Sequence, residues 1–182
     1  MNEYYELKIC GLTRSLKKVK VTPNLVIASF VMLGDTQMIE KCADALFEKM
    51  SVISEIDMLV CPEAKGIPLT HALAVRLGVD YVVARKSVKG YMENPITSEV
   101  KSITTNERQI IVIDETDAAK LEGKRVCVVD DVVSTGGSLR SLEDVLAKTG
   151  CSVISKAAVL LEEGGYSGED LIYLQKLPVF TA

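Results

Sequence analysis

Two adjacent aspartates and the loop that follows them are the residues of this sequence best suited to chemistry. Asp130 and Asp131 come at the end of an apolar run, VCVVDD, and a helix-like stretch begins after Gly137. The loop between the acids and that helix contains Ser134, Thr135, Gly136, Gly137 and Ser138. Glycines let the backbone approach an anion closely, hydroxyls add donors, and a helix N-terminus presents free N–H groups. The loop therefore predicts a phosphate-binding site. The aspartates, which repel phosphate, suit hydroxyls, a cation or a positively charged transition state.

Three other kinds of site that use such residues do not fit the sequence. A P-loop needs GxxxxGK[ST], which this chain does not contain, and a dinucleotide-binding turn needs GxGxxG after a strand. The run GGYSG at 164–168 lacks that glycine spacing and predicts a turn instead. A response-regulator receiver carries paired aspartates on its first strand, but only 182 − 130 = 52 residues follow Asp130. None of these three patterns therefore accounts for the aspartate pair and its phosphate-binding loop.

The run VVDDVVSTGGS resembles the PRPP signature of the type I phosphoribosyltransferase family. That signature is an apolar strand, two acids, two apolar residues and a loop of the form small-Thr-Gly-Gly-small, and this sequence matches it throughout. The resemblance implies that Asp130 and Asp131 hold the ribose hydroxyls of PRPP. It also implies that the loop from Ser134 to Ser138 binds the 5-phosphate.

A second stretch, CPEAKGIPLTHALAVRLGVDYVVARK, resembles the adenine phosphoribosyltransferase branch of that family and its relatives that act on xanthine and hypoxanthine. The resemblance implies a pyrophosphate-side loop made of Glu63, Ala64, Lys65 and Gly66. It further implies that Arg85 and Lys86 reach the diphosphate, for which the planar arginine fork is well suited. Mg²⁺ is then expected as the cofactor, bound mainly through PRPP, and the assembly is expected to be a homodimer.

The chain from Lys86 to about Arg108 is polar and shows neither helical nor strand periodicity. Long irregular segments inside compact domains are often lids over a site. The family resemblance implies the catalytic flexible loop here, with Lys89 and Glu99 as catalytic candidates and with Glu93 and Lys101 as further functional charges. A disordered or β-hairpin insertion is the alternative.

The purine base is the least determined part of the prediction. Leu25, Val26 and Ile27 could form an apolar cover over a purine or a strand of the core. Adenine enzymes of the branch carry Phe-Arg-Asp and Leu-Glu-Tyr-Gly runs where this chain has IAS at 27–29 and ITTN at 103–106. Thr104 stands where a glutamate is expected, and the loop is closer to the xanthine-type relatives. Adenine is the first expectation, with xanthine or hypoxanthine/guanine enzymes, or a PRPP-binding regulator without catalysis, as alternatives.

Strand and helix signals alternate along most of the chain, which predicts an α/β fold with a doubly wound, mostly parallel sheet. Ligands of such sheets bind at the carboxyl ends of the strands. Helices are expected at 36–50 with Asp35 as N-cap, at 67–77 ending at Gly78, and at 137–148; strands are expected at 56–61, 80–85, 109–114, 125–130 and 153–161. We expect one domain over 1–182, with a small hood in 1–34 and the core in 35–182.

Composition excludes several other classes of protein. The formal net charge of −4 argues against a broad nucleic-acid surface. No run approaches the roughly 20 apolar residues of a membrane span, and the acidic N-terminus does not resemble a signal peptide, so a cytoplasmic location is expected. The five dispersed cysteines suggest neither zinc nor disulfides, and His71 lies in an apolar helix-like run where packing is the simpler role.

Overall fold

The computed structural model describes residues 3–53, 55–100 and 109–181. The strands are β1 (Tyr4–Ile9), β2 (Leu12–Thr22), β3 (Leu25–Ala28), β4 (Met58–Pro62), β5 (Asp80–Ala84), β6 (Ile96–Val100), β7 (Gln109–Ile113), β8 (Arg125–Val133), β9 (Ser152–Glu162), β10 (Leu171–Leu177) and β11 (Val179–Phe180). The helices are α1 (Thr36–Met50), α2 (Ile67–Leu77), α3 (Glu115–Leu121) and α4 (Gly137–Leu146). None of the helices in these ranges is long and apolar enough to cross a bilayer.

A five-stranded parallel sheet in the order β10-β9-β8-β4-β5 forms the centre of the fold. This arrangement confirms the predicted α/β class with a parallel sheet. Strand β8 occupies the middle of the sheet, with β9 on one side and β4 on the other. The chain therefore delivers the carboxyl end of β8, where the two aspartates lie, to the centre of one edge of the sheet.

Alternate residues of the central strands supply two apolar layers, one on each face of the sheet. Leu59, Cys127 and Val159 pack on one face with α1, α2 and residues of β1–β3. Val60, Val128 and Ala158 pack on the other face with α3, α4 and β7. Because neighbouring residues of a strand point to opposite faces, a strand covered on both sides must be apolar almost throughout. This explains the continuous apolar runs in β4 and β8, and it places Cys61 and Cys127 in the interior as expected.

The three predicted helices are present, although α4 ends at Leu146 rather than at Lys148, and α3 was not expected. Asp35 caps α1, accepting a hydrogen bond from the N–H of Met38 at 3.0 Å. It also forms an ion pair with Arg14 at 2.6 Å, which ties β2 to the start of the helix. Gly78 ends α2 with a left-handed backbone, φ = 70°. His71 is exposed on α2, with its ring edge-on to Tyr81 at 5.9 Å.

A second sheet, antiparallel and in the order β1-β2-β3-β11, lies beside the parallel one. Its strands β1, β2 and β3 fall in the segment 1–34, but β11 comes from the other end of the described chain and pairs with Val26 and Ile27. Leu7, Ile9 and Leu16 are buried and join the layer formed by α1 and α2. The lysines at 17, 18 and 20 also lie on β2.

The segment that follows β5 contains a β-hairpin, which was the alternative to an irregular catalytic loop in the sequence analysis. Strand β7, expected among the strands of a mostly parallel sheet, pairs antiparallel with β6, in register from Ile96 with Ile113 to Val100 with Gln109. Residues 96–100, expected to be irregular, form β6. Ile111 and Ile113 are buried against α4 and its neighbours, so their apolar pattern signals burial, and burial does not encode strand direction. An antiparallel bridge from Arg85 to Val112 fastens the hairpin to the end of β5.

Candidate active site

Asp130 and Asp131 lie side by side near the carboxyl end of β8 and are held by backbone groups. Asp130 Oδ1 accepts a hydrogen bond from the N–H of Asp131 at 2.8 Å, and Asp131 Oδ1 accepts one from the N–H of Val132 at 3.0 Å. Asp131 is 5% exposed, and its Oδ2 is buried without a hydrogen-bond partner among the described residues. An acceptor buried in this way is expected to bind a donor or a cation.

The surroundings of the two carboxyls favour their protonated forms. Burial, followed by the neighbouring charge of Asp131, raises the pKa of Asp130 to about 8. Burial also raises the pKa of Asp131, against the opposing effect of the Lys65 ammonium. Two like charges so close in a partly dry site cannot both ionise easily. The pair therefore has an electrostatic preference for a ligand that brings positive charge or hydrogen-bond donors.

The loop predicted to bind phosphate leads directly from β8 into α4. Gly136 precedes the helix with φ = 77°, a backbone conformation that glycine adopts without strain. Among the described residues no side chain caps this helix, so its first N–H groups remain available to an anion. Ser134, Thr135 and Ser138 are exposed around this turn. The structure thus brings the five predicted loop residues together beside the aspartate pair.

The loop after β4 approaches the aspartates from the other side. Gly66 is buried, and a Cβ atom added to it would lie 3.3 Å from the Cα of Asp130. Its carbonyl accepts hydrogen bonds from the N–H of Thr70 at 2.9 Å and from the Thr70 hydroxyl at 2.8 Å, which fix the loop on α2. The short distance from Gly66 to Asp130 favours a residue without a side chain where this loop meets β8. The peptide bond between Glu63 and Ala64 is cis.

Glu63 organises the two cations that follow β5. Its Oε1 lies 3.6 Å from Arg85 Nη1, and its Oε2 accepts a hydrogen bond from the backbone N–H of Lys86 at 3.1 Å. The backbone of Arg85 is further held by the bridge to Val112. Glu63 thus contacts the side chain of Arg85 and the backbone of Lys86.

These elements surround a cavity of about 130 Å³ at the edge of the sheet. The lining residues are Pro62, Glu63, Ala64, Lys65, Lys86, Ile110, Ile111, Asp130, Asp131 and Ser138. The cavity has two lysines on the side of the β4 and β5 loops and two acids on the side of β8. A ligand with an anionic end and a hydroxyl-bearing or cationic middle matches this division of charge.

The two catalytic candidates from the segment after β5 do not line this cavity. The Lys89 ammonium donates to the Ser87 hydroxyl at 2.6 Å, within its own loop. Glu99 lies on β6 as the register partner of Ile110, which is a lining residue. Lys101 and Thr104, to which the sequence analysis gave a role, lie outside the described residues. Glu93 is exposed in the turn before β6.

The predicted base-covering residues form a strand. Leu25, Val26 and Ile27 make up most of β3, between β2 and β11 of the antiparallel sheet, and each is half-buried. They are not among the residues that line the cavity. Of the two interpretations of this run, the strand describes its structure.

Several residues near the site carried no usable sequence signal. Ile110 and Ile111 line the cavity because the hairpin folds back over it. Their sequence pattern predicts a strand but does not show that the strand reaches the site. Arg140 Nη2 donates to the carbonyl of Thr135 at 3.1 Å and so braces the phosphate loop from α4. Tyr166, in the turn expected at 164–168, donates its backbone N–H to the carbonyl of Ser134 at 2.7 Å. A long-range contact of this kind cannot be inferred from spacing.

Comparison with known proteins agrees with the arrangement. The model of the phosphoribosyl transferase domain matches residues 32–178. An HGPRTase-like protein of Halobacterium salinarum is 35% identical over 112 residues, which are 62% of this chain and 56% of that protein. The chain thus spans little more than half the length of that relative. The hypoxanthine/guanine phosphoribosyltransferase of Methanothermus fervidus is 32% identical over 130 residues, 71% of this chain and 65% of the relative.

A solved structure matches over nearly the whole length. The adenine phosphoribosyltransferase of Thermoanaerobacter pseudethanolicus superposes with a TM-score of 0.67 at 25% identity, covering 96% of this chain and 95% of its own. The matched family model includes β8, the phosphate loop and the loop after β4. This chain therefore belongs to the phosphoribosyl transferase domain family.

Proposed function

We propose that this protein is a purine phosphoribosyltransferase, which transfers the ribose 5-phosphate group of PRPP to a purine base and releases pyrophosphate. The observation that carries the proposal is the buried aspartate pair, followed at once by a hydroxyl-rich, glycine-rich loop at the start of α4. The Ser134–Ser138 loop suits the 5-phosphate. The lysines across the cavity suit the diphosphate.

In the proposed reaction the bond from the ribose anomeric carbon to the pyrophosphate oxygen breaks, and a bond from that carbon to a purine nitrogen forms. The sugar carries positive charge as the leaving group departs. Asp130 and Asp131 would accept hydrogen bonds from the ribose hydroxyls in their charged form and stabilise this cation. Fixed groups placed where charge develops lower a barrier by a few kcal/mol each.

The departing pyrophosphate requires positive charge. Lys65 and Lys86 line the cavity, and Arg85 forms an ion pair with Glu63, which also lines it. Mg²⁺ fits the donor set, because oxygen ligands are its preference and the buried Oδ2 of Asp131 is unpaired among the described residues. When bound together with PRPP, the ion would supply charge neutralisation on the diphosphate. The described residues contain no group of three or more His, Cys, Asp or Glu side chains that could hold a metal by themselves.

The base remains adenine by preference, with hypoxanthine/guanine or xanthine as the alternatives. The relatives divide in the same way: one is a hypoxanthine/guanine enzyme in Methanothermus fervidus, and another is an adenine enzyme in Mycobacteroides abscessus, the latter 31% identical over 132 residues. The proposal includes a base-covering hood in residues 1–34, in which the stretch of Leu25, Val26 and Ile27 lies next to the bound base. It also includes closure of the segment 86–108 with Lys89 and Glu99, a homodimer, and a cytoplasmic location.

The deciding experiment measures pyrophosphate release from PRPP and Mg²⁺ with adenine, hypoxanthine, guanine and xanthine offered separately. Turnover with at least one base, and none without a base, is the expected result. The variant Asp144→Asn, which changes an exposed carboxyl of α4, is a matched control that should keep full activity. Binding of PRPP without turnover of any base would overturn the enzymatic proposal in favour of a PRPP-binding regulator.

A further inference from the structure

A buried lysine lies behind the phosphate loop, outside the cavity. Lys156 of β9 is 4% exposed, and its ammonium group lies 2.7 Å from Glu143 Oε1 on α4. The same ammonium pairs with a carboxylate oxygen of Asp170, which follows the turn after β9. Charged side chains are rarely buried unless they are paired in this way. Lys156 therefore joins three separate elements at one point.

Tyr166 completes this group. Its hydroxyl donates to Asp170 Oδ1 at 2.8 Å and accepts from the Lys156 ammonium at 3.3 Å. Burial acts to lower the pKa of Lys156, but the hydrogen bonds to Asp170, Glu143 and Tyr166 outweigh it and hold that pKa above its usual value. Burial, with the Asp170 hydrogen bond, raises the pKa of Tyr166, so the phenol stays neutral. Lys156 and Asp170, both of which are paired, thus fix the position of the phenol ring through its hydroxyl.

The front of the ring lies against the phosphate loop. A Cβ atom added to Gly136 would overlap Cδ2 of the Tyr166 ring, and one added to Gly165 would overlap the carbonyl of Ser134. The backbone N–H of Tyr166 donates to that same carbonyl at 2.7 Å. The turn that carries Tyr166 is therefore packed against Ser134 and Gly136 without space for another atom.

We propose that Tyr166 is a positioning residue for the 5-phosphate subsite, an inference that rests on the proposed function. The network of Lys156, Glu143 and Asp170 holds the ring, and the ring and backbone of Tyr166 hold the loop from Ser134 to Gly136 in its anion-binding conformation. A loop held ready in its bound conformation binds more tightly because less ordering remains to be done on binding. The residue itself does not contact the substrate.

Calorimetry with two separate probes tests this assignment. Ribose 5-phosphate occupies the phosphate loop, and pyrophosphate occupies the opposite, lysine-lined side. Tyr166→Ala is expected to weaken ribose 5-phosphate binding about tenfold and to leave pyrophosphate binding unchanged, since only the loop loses its support. Tyr166→Phe keeps the ring but loses the hydrogen bonds of the hydroxyl with Asp170 and Lys156, so its ribose 5-phosphate affinity should fall between those of the wild type and Tyr166→Ala. Tyr173→Ala removes another half-buried tyrosine from the same apolar layer and should leave both affinities unchanged.

The outcomes separate this inference from the proposed function. A wild-type protein that binds neither probe would overturn the proposed function and this inference with it. A wild type that binds ribose 5-phosphate, with a folded Tyr166→Ala variant that binds it equally well, would overturn the inference alone. If Tyr166→Ala does not fold, Gly168→Ala takes its place, because the added methyl would overlap the Tyr166 hydroxyl and displace the ring without removing it. Unchanged ribose 5-phosphate affinity in that variant would equally overturn the inference.

Discussion

Replacing Asp130 by asparagine should make the empty protein more stable, and more so as the pH rises. The carboxyl has a pKa of 3.8 in an unfolded chain and about 8 in the folded one. The folded state therefore holds its proton more tightly, and stability is lost as the pH rises from about 4 to about 8. Asparagine has the same shape, cannot ionise, and can still accept the hydrogen bond from the N–H of Asp131.

The size of the effect follows from the two pKa values. At about 1.4 kcal/mol for each pKa unit, the full charging penalty would be roughly 5–6 kcal/mol above pH 8. Asp130 is only half-buried, and solvent relaxation around it reduces this to about 2–3 kcal/mol. At pH 4, close to the unfolded pKa of 3.8, only about 0.6 kcal/mol of the penalty has developed.

Thermal unfolding of the wild type and of Asp130→Asn, without ligand, at pH 4 and pH 8.5 measures this difference. For a chain of this size we expect the midpoint to rise by about 4–8 °C at pH 8.5 and by no more than about 2 °C at pH 4. Asp144→Asn, an exposed change on α4, controls for the loss of a charge and should leave the midpoint unaltered at either pH. A stability gain of equal size at both pH values, or a less stable variant at pH 8.5, would refute the assignment of a strained carboxyl pair.

Three further predictions concern the proposed reaction. Asp131→Asn should lower turnover by about 10²-fold or more while the protein stays folded, since a group that stabilises the cationic sugar is lost. Steady-state kinetics measures the turnover, and circular dichroism checks the fold. Turnover equal to the wild type would exclude this role of Asp131. Binding of PRPP with Mg²⁺ at pH 6 should release up to about one proton as Asp130 becomes charged, and at pH 9.5 almost none. Titration calorimetry in buffers of different ionisation enthalpy detects the release, and identical heats in all buffers at pH 6 would contradict it. Gly66→Ala should reduce kcat/KM for PRPP about tenfold, because the new methyl would lie 3.3 Å from the Asp130 backbone and move the acid pair. Unchanged kinetics would show that the loop can shift away from Asp130 without loss of activity.

The parts of the fold that sequence reasoning predicts are those whose signal is local. Asp35 before an amphipathic run and Gly78 after another mark the ends of helices through short-range hydrogen bonding and backbone freedom. The acid pair and the phosphate loop are likewise contiguous, so their arrangement at the end of β8 follows from one strand-to-helix connection. Local signals identify these elements because their partners lie within a few residues.

What sequence reasoning misses depends on contacts between distant residues. Ile111 and Ile113 carry a strand pattern, but whether β7 pairs in parallel or antiparallel fashion depends on which neighbour it meets. The ion pair of Glu63 with Arg85 joins two loops that follow different strands, and sequence spacing does not show it. The burial of Lys156 is also not visible in the sequence, because its three partners come from α4 and from the turn before β10.

The pairing of β11 with β3 affects how the chain folds while it is being synthesised. Val179 pairs with Ile27, across 179 − 27 = 152 residues, so this contact closes a very long loop. Until residues 179 and 180 have left the ribosome, β3 is an edge strand with a row of unsatisfied backbone groups, the kind of surface on which chains pair wrongly with one another. Contacts this distant in sequence also form late during folding. During translation β3 is thus open to wrong pairing until the short strand Val179–Phe180 pairs with Val26 and Ile27.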